Sequence, residues 1–272
     1  MRLKPKLILT NLSLALMLVI SPIAQSKLLP KPATNASQLA ANRYDSSNAI
    51  FHPVYGKNGM VASEQGLATQ VGLDILKQGG NAIDAAVAVG FALAVVLPNA
   101  GNIGGGGFMV LHDDKTGKDV AIDFREIAPA KASRDMYLDN QGNVIDGKSL
   151  FTHDASGVPG TVAGMEYALK KWGTMPLSKV LEPAIKLADK GFIVSDVLAQ
   201  TLKEEKSTLG KWAASKAIFF KNGEPLKSGD LLVQKDLAKS LRLIAKQGAK
   251  AFYQGDIATK IAKEMQTHGG TM

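Results

Sequence analysis

Cysteine is absent from the 272 residues, which excludes disulfides, a thiolate nucleophile and Cys-ligated metals. That absence does not name a compartment, because many exported proteins also lack disulfides. Histidine is scarce: His52, His112, His153 and His268 are the four. None is paired at a metal-ligand spacing such as HxxxH, so each reads as a surface or turn histidine, and no metal or cofactor is expected. No block of basic residues occurs, nor basic residues alternating with aromatics. Lys203-Glu204-Glu205-Lys206 shows the interleaving typical of the chain, and Arg2, Lys4 and Lys6 sit at the extreme amino terminus. The formal charge of +8 therefore reads as a solvated surface and not a nucleic-acid interface. Gly-x-Ser-x-Gly is missing, which removes the nucleophile-elbow signature; Gly-Lys-Ser occurs once, at Gly147-Lys148-Ser149, outside the glycine-rich run at 101–107.

What is present begins with an export signal. A basic start leads into an apolar stretch from Leu7 to Ile20, then the Pro22 breaker and Ala24-Gln25-Ser26. The stretch falls short of the ~20 apolar residues of a membrane span, and Thr10, Asn11 and Ser13 interrupt it. An uncleaved anchor is the alternative; the small residues at 24 and 26 favour a signal peptide over 1–26, cut after Ser26. A periplasmic or secreted protein without a stable membrane anchor is expected. Residues 27–48, rich in Ala, Ser, Asn and Pro, read as a lead-in, with the fold over 49–272.

Ser63 is the expected cap of a helix to about Gln78, with Leu67, Val71 and Ile75 in one stripe and Gly79-Gly80 ending it. Asn81 is the expected cap of a second helix, with Asp84 reaching back to the cap amide. From Ala82 to Leu97 the only ionisable residue is Asp84, so this helix is apolar on every face and belongs in a core. Two strands are expected at Phe108–His112 and Asp119–Phe124, turning near Gly117. Helices follow at about 161–171, 177–190 with Pro183 as a candidate interruption, 196–206, 235–247 and 256–267. A short hairpin is expected at Asn222-Gly223.

The run Gly101-Asn102-Ile103-Gly104-Gly105-Gly106-Gly107 follows a helix and opens a strand. A phosphate loop has the opposite order, so the run reads as a tight structural crossing. Asp123-Phe124-Arg125-Glu126 closes the second strand. Arg125 has the geometry to hold a carboxylate with two parallel hydrogen bonds; by residue type alone, a salt bridge to Glu126, Asp123 or another neighbour is the commoner role. Thr152-His153 and Ser156-Gly157 form a weak hydroxyl–base signal, since adjacent residues seldom face each other. Glu204-Glu205 reads as a solvated face.

Taken together, Gly59–Ser63, ILKQGGNAIDAAVAVGFALAV (75–95), AGNIGGGGFMV (100–110), AIDFREIAPAKASRDMY (121–137), ASGVPGTVAG (155–164), 167–194 and 255–270 resemble the γ-glutamyltransferase family of N-terminal-nucleophile hydrolases. The resemblance implies an α+β fold, the αββα sandwich, cut into heavy and light subunits from one precursor. It implies a Thr nucleophile opening the light subunit, attack on a γ-amide and glutathione as a substrate. It assigns Arg125 to the glutamyl α-carboxylate, against the commoner role. It also places no catalytic residue in this chain: the family's Thr-Thr-His is not among these residues, and Thr271 does not match it. The expectation is a partial heavy subunit, inactive alone, whose partners are γ-glutamyl small molecules and the light subunit. A cephalosporin acylase relative and an exported non-catalytic subunit are the alternatives.

Overall fold

Gln65, and not Ser63, caps the first helix in the computed structural model, which describes residues 55–272. The signal peptide and lead-in expected over 1–26 and 27–48 lie outside the described residues. Helix α1 spans Gly66–Lys77, and the Gln65 side chain accepts from the Leu67 amide at 2.6 Å. The Ser63 hydroxyl is used elsewhere, donating to the Gln65 carbonyl at 3.0 Å and meeting the Thr69 hydroxyl at 2.7 Å. Of the expected stripe, Val71 and Ile75 are buried, whereas Leu67 is exposed.

Helix α2 (Ala82–Val96) has the expected capping box. Asn81 Oδ1 accepts from the amides of Ile83 and Asp84, and Asp84 Oδ2 accepts from the Asn81 amide. Its apolar surface is buried because it lies at the centre of the helical layer, packed on α1, α4 (Thr161–Trp172) and α5 (Leu177–Lys190). Phe91, Val87, Val95 and Ile75 are among the largest fully buried side chains. Burial of side chains of this size contributes roughly 1.5–3 kcal/mol each.

Between α2 and α4 runs the hairpin of β1 (Phe108–Asp113) and β2 (Lys118–Asp123), antiparallel with Phe108 opposite Asp123 and Asp113 opposite Lys118. Gly117, at φ +66°, supplies the left-handed turn residue. Leu111 is buried and Met109 packs on the core, while Phe108 and Val110 point to the open face, as period-2 alternation requires. After β2 an irregular segment contains only the short α3 (Lys148–Phe151) and a 3₁₀ turn at His153–Ala155.

Pro183 does not interrupt α5, whose 14 residues run continuously. Val180, Leu181, Ala184 and Ala188 are buried on one stripe, so packing outweighs the single hydrogen bond that proline cannot donate. The two-residue β3 (Phe192–Ile193) follows. Helix α6 (Asp196–Glu204), capped by the Ser195 hydroxyl, ends earlier than expected at Glu205, and α7 (Lys206–Leu209) follows as a separate turn. Helix α8 (Ala213–Phe219) is a short element that periodicity did not mark. Strands β4 (Phe220–Lys221) and β5 (Glu224–Pro225) form the expected hairpin, with Asn222 at φ 55° and Gly223 at φ 83°. Strand β6 (Leu231–Leu232) pairs with β3 across a helix-rich gap, a contact the sequence pattern did not reveal. Helix α9 (Lys235–Gln247) then packs on α5 through Ala238, Leu241 and Ile244. The short α10 (Ala249–Tyr253), also unexpected, and α11 (Asp256–Thr267) follow. No helix among the described residues is long and apolar enough to cross a membrane.

Candidate functional site

Three sequence stretches far apart in the chain meet around Phe124–Ile127. The ladder of β1 and β2 extends one pair further, with Phe124 N donating to Gly107 O at 3.0 Å and Gly107 N to Phe124 O at 3.3 Å. The Gly160 and Thr161 amides both donate to Gly105 O, at 2.7 and 3.0 Å. Ile127 and Val158 exchange backbone hydrogen bonds at 2.9 and 3.3 Å. Asn102 closes the arrangement: its Oδ1 accepts from the Gly105 amide at 2.9 Å and from the Thr161 hydroxyl at 2.7 Å.

The glycines here are dictated by contact. A Cβ on Gly160 would lie 2.0 Å from Phe124 O, and one on Gly106 would lie 2.6 Å from the same oxygen. A Cβ on Gly164 would lie 2.3 Å from the Phe124 ring. The run is thus the tight crossing expected of it. At Gly104, by contrast, a Cβ would meet nothing within 4 Å.

This scaffold displays Arg125. Its amide donates to Asp123 Oδ1 at 2.9 Å, which fixes the backbone as it leaves β2. The side chain is 62% exposed and donates through Nε to Glu126 Oε2 at 3.2 Å, the neighbour pairing that residue type alone favoured. The guanidinium also lies over the Phe108 ring, 5.8 Å from its centroid. Its two terminal nitrogens make no hydrogen bond among the described residues, so the fork that grips a carboxylate is not consumed by the pair with Glu126.

The other candidates do not assemble. The Thr152 hydroxyl donates to Lys148 O at 2.6 Å, within its own helical turn, and is no nucleophile paired with His153. Glu204 and Glu205 are exposed, as expected of a solvated face. A groove of about 680 Å³ beside α1 and α2 is lined by residues such as Met60, Val61, Leu76, Val89 and Leu93, and none of its lining residues titrates.

Two arrangements escaped the sequence. Asp84 does more than cap: its carboxylate also accepts from the Thr174 amide and hydroxyl and from the Met175 amide, at 2.6–3.1 Å. Burial disfavours its charge, but these hydrogen bonds outweigh burial and hold its pKa below the ordinary 3.8. His153, Glu264 and His268 also gather, with their ligand atoms within 4.8 Å of one another. Their separation in the chain hid this from any spacing rule, although Glu264 and His268 are four apart on one helix.

A family model described as Gamma-glutamyltranspeptidase matches residues 68–272. The glutathione hydrolase proenzyme of Escherichia coli (strain K12) is 62% identical over 228 residues, covering 84% of this chain and 39% of that protein. The crystal structure of Helicobacter pylori gamma-glutamyltranspeptidase superposes with a TM-score of 0.79 at 53% identity, covering 81% of this chain and 63% of that one. A cephalosporin acylase from Bacillus halodurans superposes at TM-score 0.72 and 28% identity, covering 94% of this chain and 44% of that one. The chain thus spans well under half the length of its E. coli relative. Its fold is the α+β N-terminal-nucleophile hydrolase architecture of these structures, held in part. By the match over residues 68–272, the chain belongs to the γ-glutamyltranspeptidase family.

Proposed function

We propose that this chain is the glutamyl-binding, heavy-subunit portion of an exported γ-glutamyltransferase and glutathione hydrolase. The observation that carries the reading is the convergence of the glycine run, Phe124–Ile127 and Val158–Thr161 on one backbone scaffold, from which Arg125 extends with both terminal nitrogens open. In this reading Arg125 grips the α-carboxylate of a γ-glutamyl group through a bidentate contact, and Glu126 steadies the guanidinium through Nε. The chemistry belongs to a Thr outside these residues, since Thr-Thr-His does not occur in the sequence. Its Oγ attacks the γ-carbonyl while its own α-amine, with a pKa of about 7.7–8.0, accepts the proton. The protonated amine then returns the proton to the departing amino group, leaving a glutamyl ester. Water or an amino acid acceptor completes the cycle.

The test compares two proteins on a γ-glutamyl anilide. The 272-residue chain releases no amine, because binding without an activated nucleophile and oxyanion donors gives no turnover. In the full-length protein, Arg125→Lys weakens kcat/KM for glutamyl substrates by about 2–3 kcal/mol, through loss of the paired contact. An unchanged kcat/KM would return Arg125 to a surface ion pair. The acylase reading rests on the B. halodurans likeness; hydrolysis of a cephalosporin side chain in preference to the anilide would favour it. Export is part of the same proposal: secreted material begins at Lys27, and amino-terminal sequencing that finds a start before residue 20 would refute the cut after Ser26.

A further inference from the structure

From the juxtaposition of His153, Glu264 and His268 we infer a divalent-metal site of Zn²⁺ type, independent of the glutamyl chemistry. His153 lies on the 3₁₀ turn of the irregular segment after β2, whereas Glu264 and His268 come from one face at the end of α11. Both imidazoles present a nitrogen to the same carboxylate oxygen. His268 Nδ1 lies 3.1 Å and His153 Nε2 lies 3.4 Å from Glu264 Oε1. With Zn–N and Zn–O bonds of about 2.0–2.1 Å, neighbouring ligand atoms of a tetrahedral site are about 3.3 Å apart. Two of the three edges thus already have the required length.

The donor set suits this ion. The two imidazoles are borderline donors that favour Zn²⁺ over Ca²⁺ or Mg²⁺, which prefer oxygen alone, and Zn²⁺ also accepts the carboxylate. Glu264 has no Lys or Arg partner among the described residues, so no fixed cation neutralises it. The two rings are stacked with centroids 4.7 Å apart and planes 10° apart. Closing the third edge requires His268 to turn its ring out of the stack and give up the 3.1 Å contact of Nδ1 with Glu264 O. His268 is half exposed and near the end of its helix, so that rotation is open and leaves an entry path. Three protein ligands leave a fourth position for water. The ion would clip the irregular segment to α11, two parts of the chain 111 residues apart.

The experiment titrates the purified chain with Zn²⁺ by calorimetry and with Co²⁺ by visible absorption, and follows Tm. One Zn²⁺ binds per chain, Tm rises, and Co²⁺ gives the intense absorption of a four-coordinate site. His153→Gln and His268→Gln each weaken Zn²⁺ binding by at least about a hundredfold, beyond the 10–100-fold typical of an outer-shell loss. His112→Gln, on the hairpin, leaves it unchanged. Should His153→Gln fail to fold, the exposed His268→Gln and Glu264→Gln carry the test. Absence of stoichiometric Zn²⁺ binding, or binding that survives His268→Gln undiminished, would overturn the site.

Discussion

Asp84 is wholly buried, and a carboxylate in that position is tolerable only because donors surround it. Hydrogen bonds from Asn81, Thr174 and Met175 join the start of α2 to the loop between α4 and α5. Removing the carboxylate takes the acceptor from the Asn81, Thr174 and Met175 amides, at about 1–3 kcal/mol for each that water cannot reach. Asp84→Ala is expected to destabilise the chain by about 3–5 kcal/mol in urea denaturation. The pH dependence follows from the lowered pKa. A carboxyl depressed in the folded state contributes stability that is complete above its ordinary value of 3.8 and is lost as pH falls through the folded value. Asp84→Asn should therefore be less stable than the parent at neutral pH, and its stability should fall less steeply below about pH 4. Equal acid slopes for the two proteins would remove Asp84 as the source. The pairing of Arg125 with Glu126 is a different case: both groups face water, so the pair adds at most about 1 kcal/mol to stability.

Elements meet at the glycines, and the run is not uniform. Gly160 and Gly106 are pressed against the Phe124 backbone, and a Cβ on Gly101 would lie 2.1 Å from Leu93 O at the end of α2. Gly104 has open space around it and no left-handed φ. Gly160→Ala and Gly101→Ala should each cost at least about 2 kcal/mol, because backbone cannot yield as a flexible side chain can. Gly104→Ala should stay within about 0.5 kcal/mol of the parent. Thermal unfolding of the three variants separates a steric requirement from general intolerance of the run. If Gly104→Ala proved as damaging as Gly160→Ala, the steric account would fail.

For the whole molecule, the open face of the hairpin matters most. Phe108 and Val110 are 64% and 78% exposed on a two-stranded sheet with no third strand beside it among the described residues. An isolated hairpin with an apolar outer face and unpaired edges is a site for association. The chain should self-associate with rising concentration in sedimentation velocity, and Phe108→Ser with Val110→Thr should reduce that. A monomer at all concentrations would show that this face is not adhesive.

Local chemistry was legible in the sequence wherever residues near one another in the chain decide the outcome. The Asn81–Asp84 box, the Gly117 and Asn222-Gly223 turns, the all-apolar α2 and the two strands of the hairpin follow from caps, turn types and periodicity. The family resemblance proposes Arg125 as the carboxylate contact, and the Arg125→Lys assay is its test. Tertiary structure decided what depends on distant residues. Pro183 was carried through α5 by the packing of its neighbours. Glu205 ended α6 early, and β3 found β6. Asp84 found Thr174, and His153 found Glu264 and His268, across 90 and 111 residues. No periodicity marks such pairs, because the folded chain rather than chain proximity brings them together.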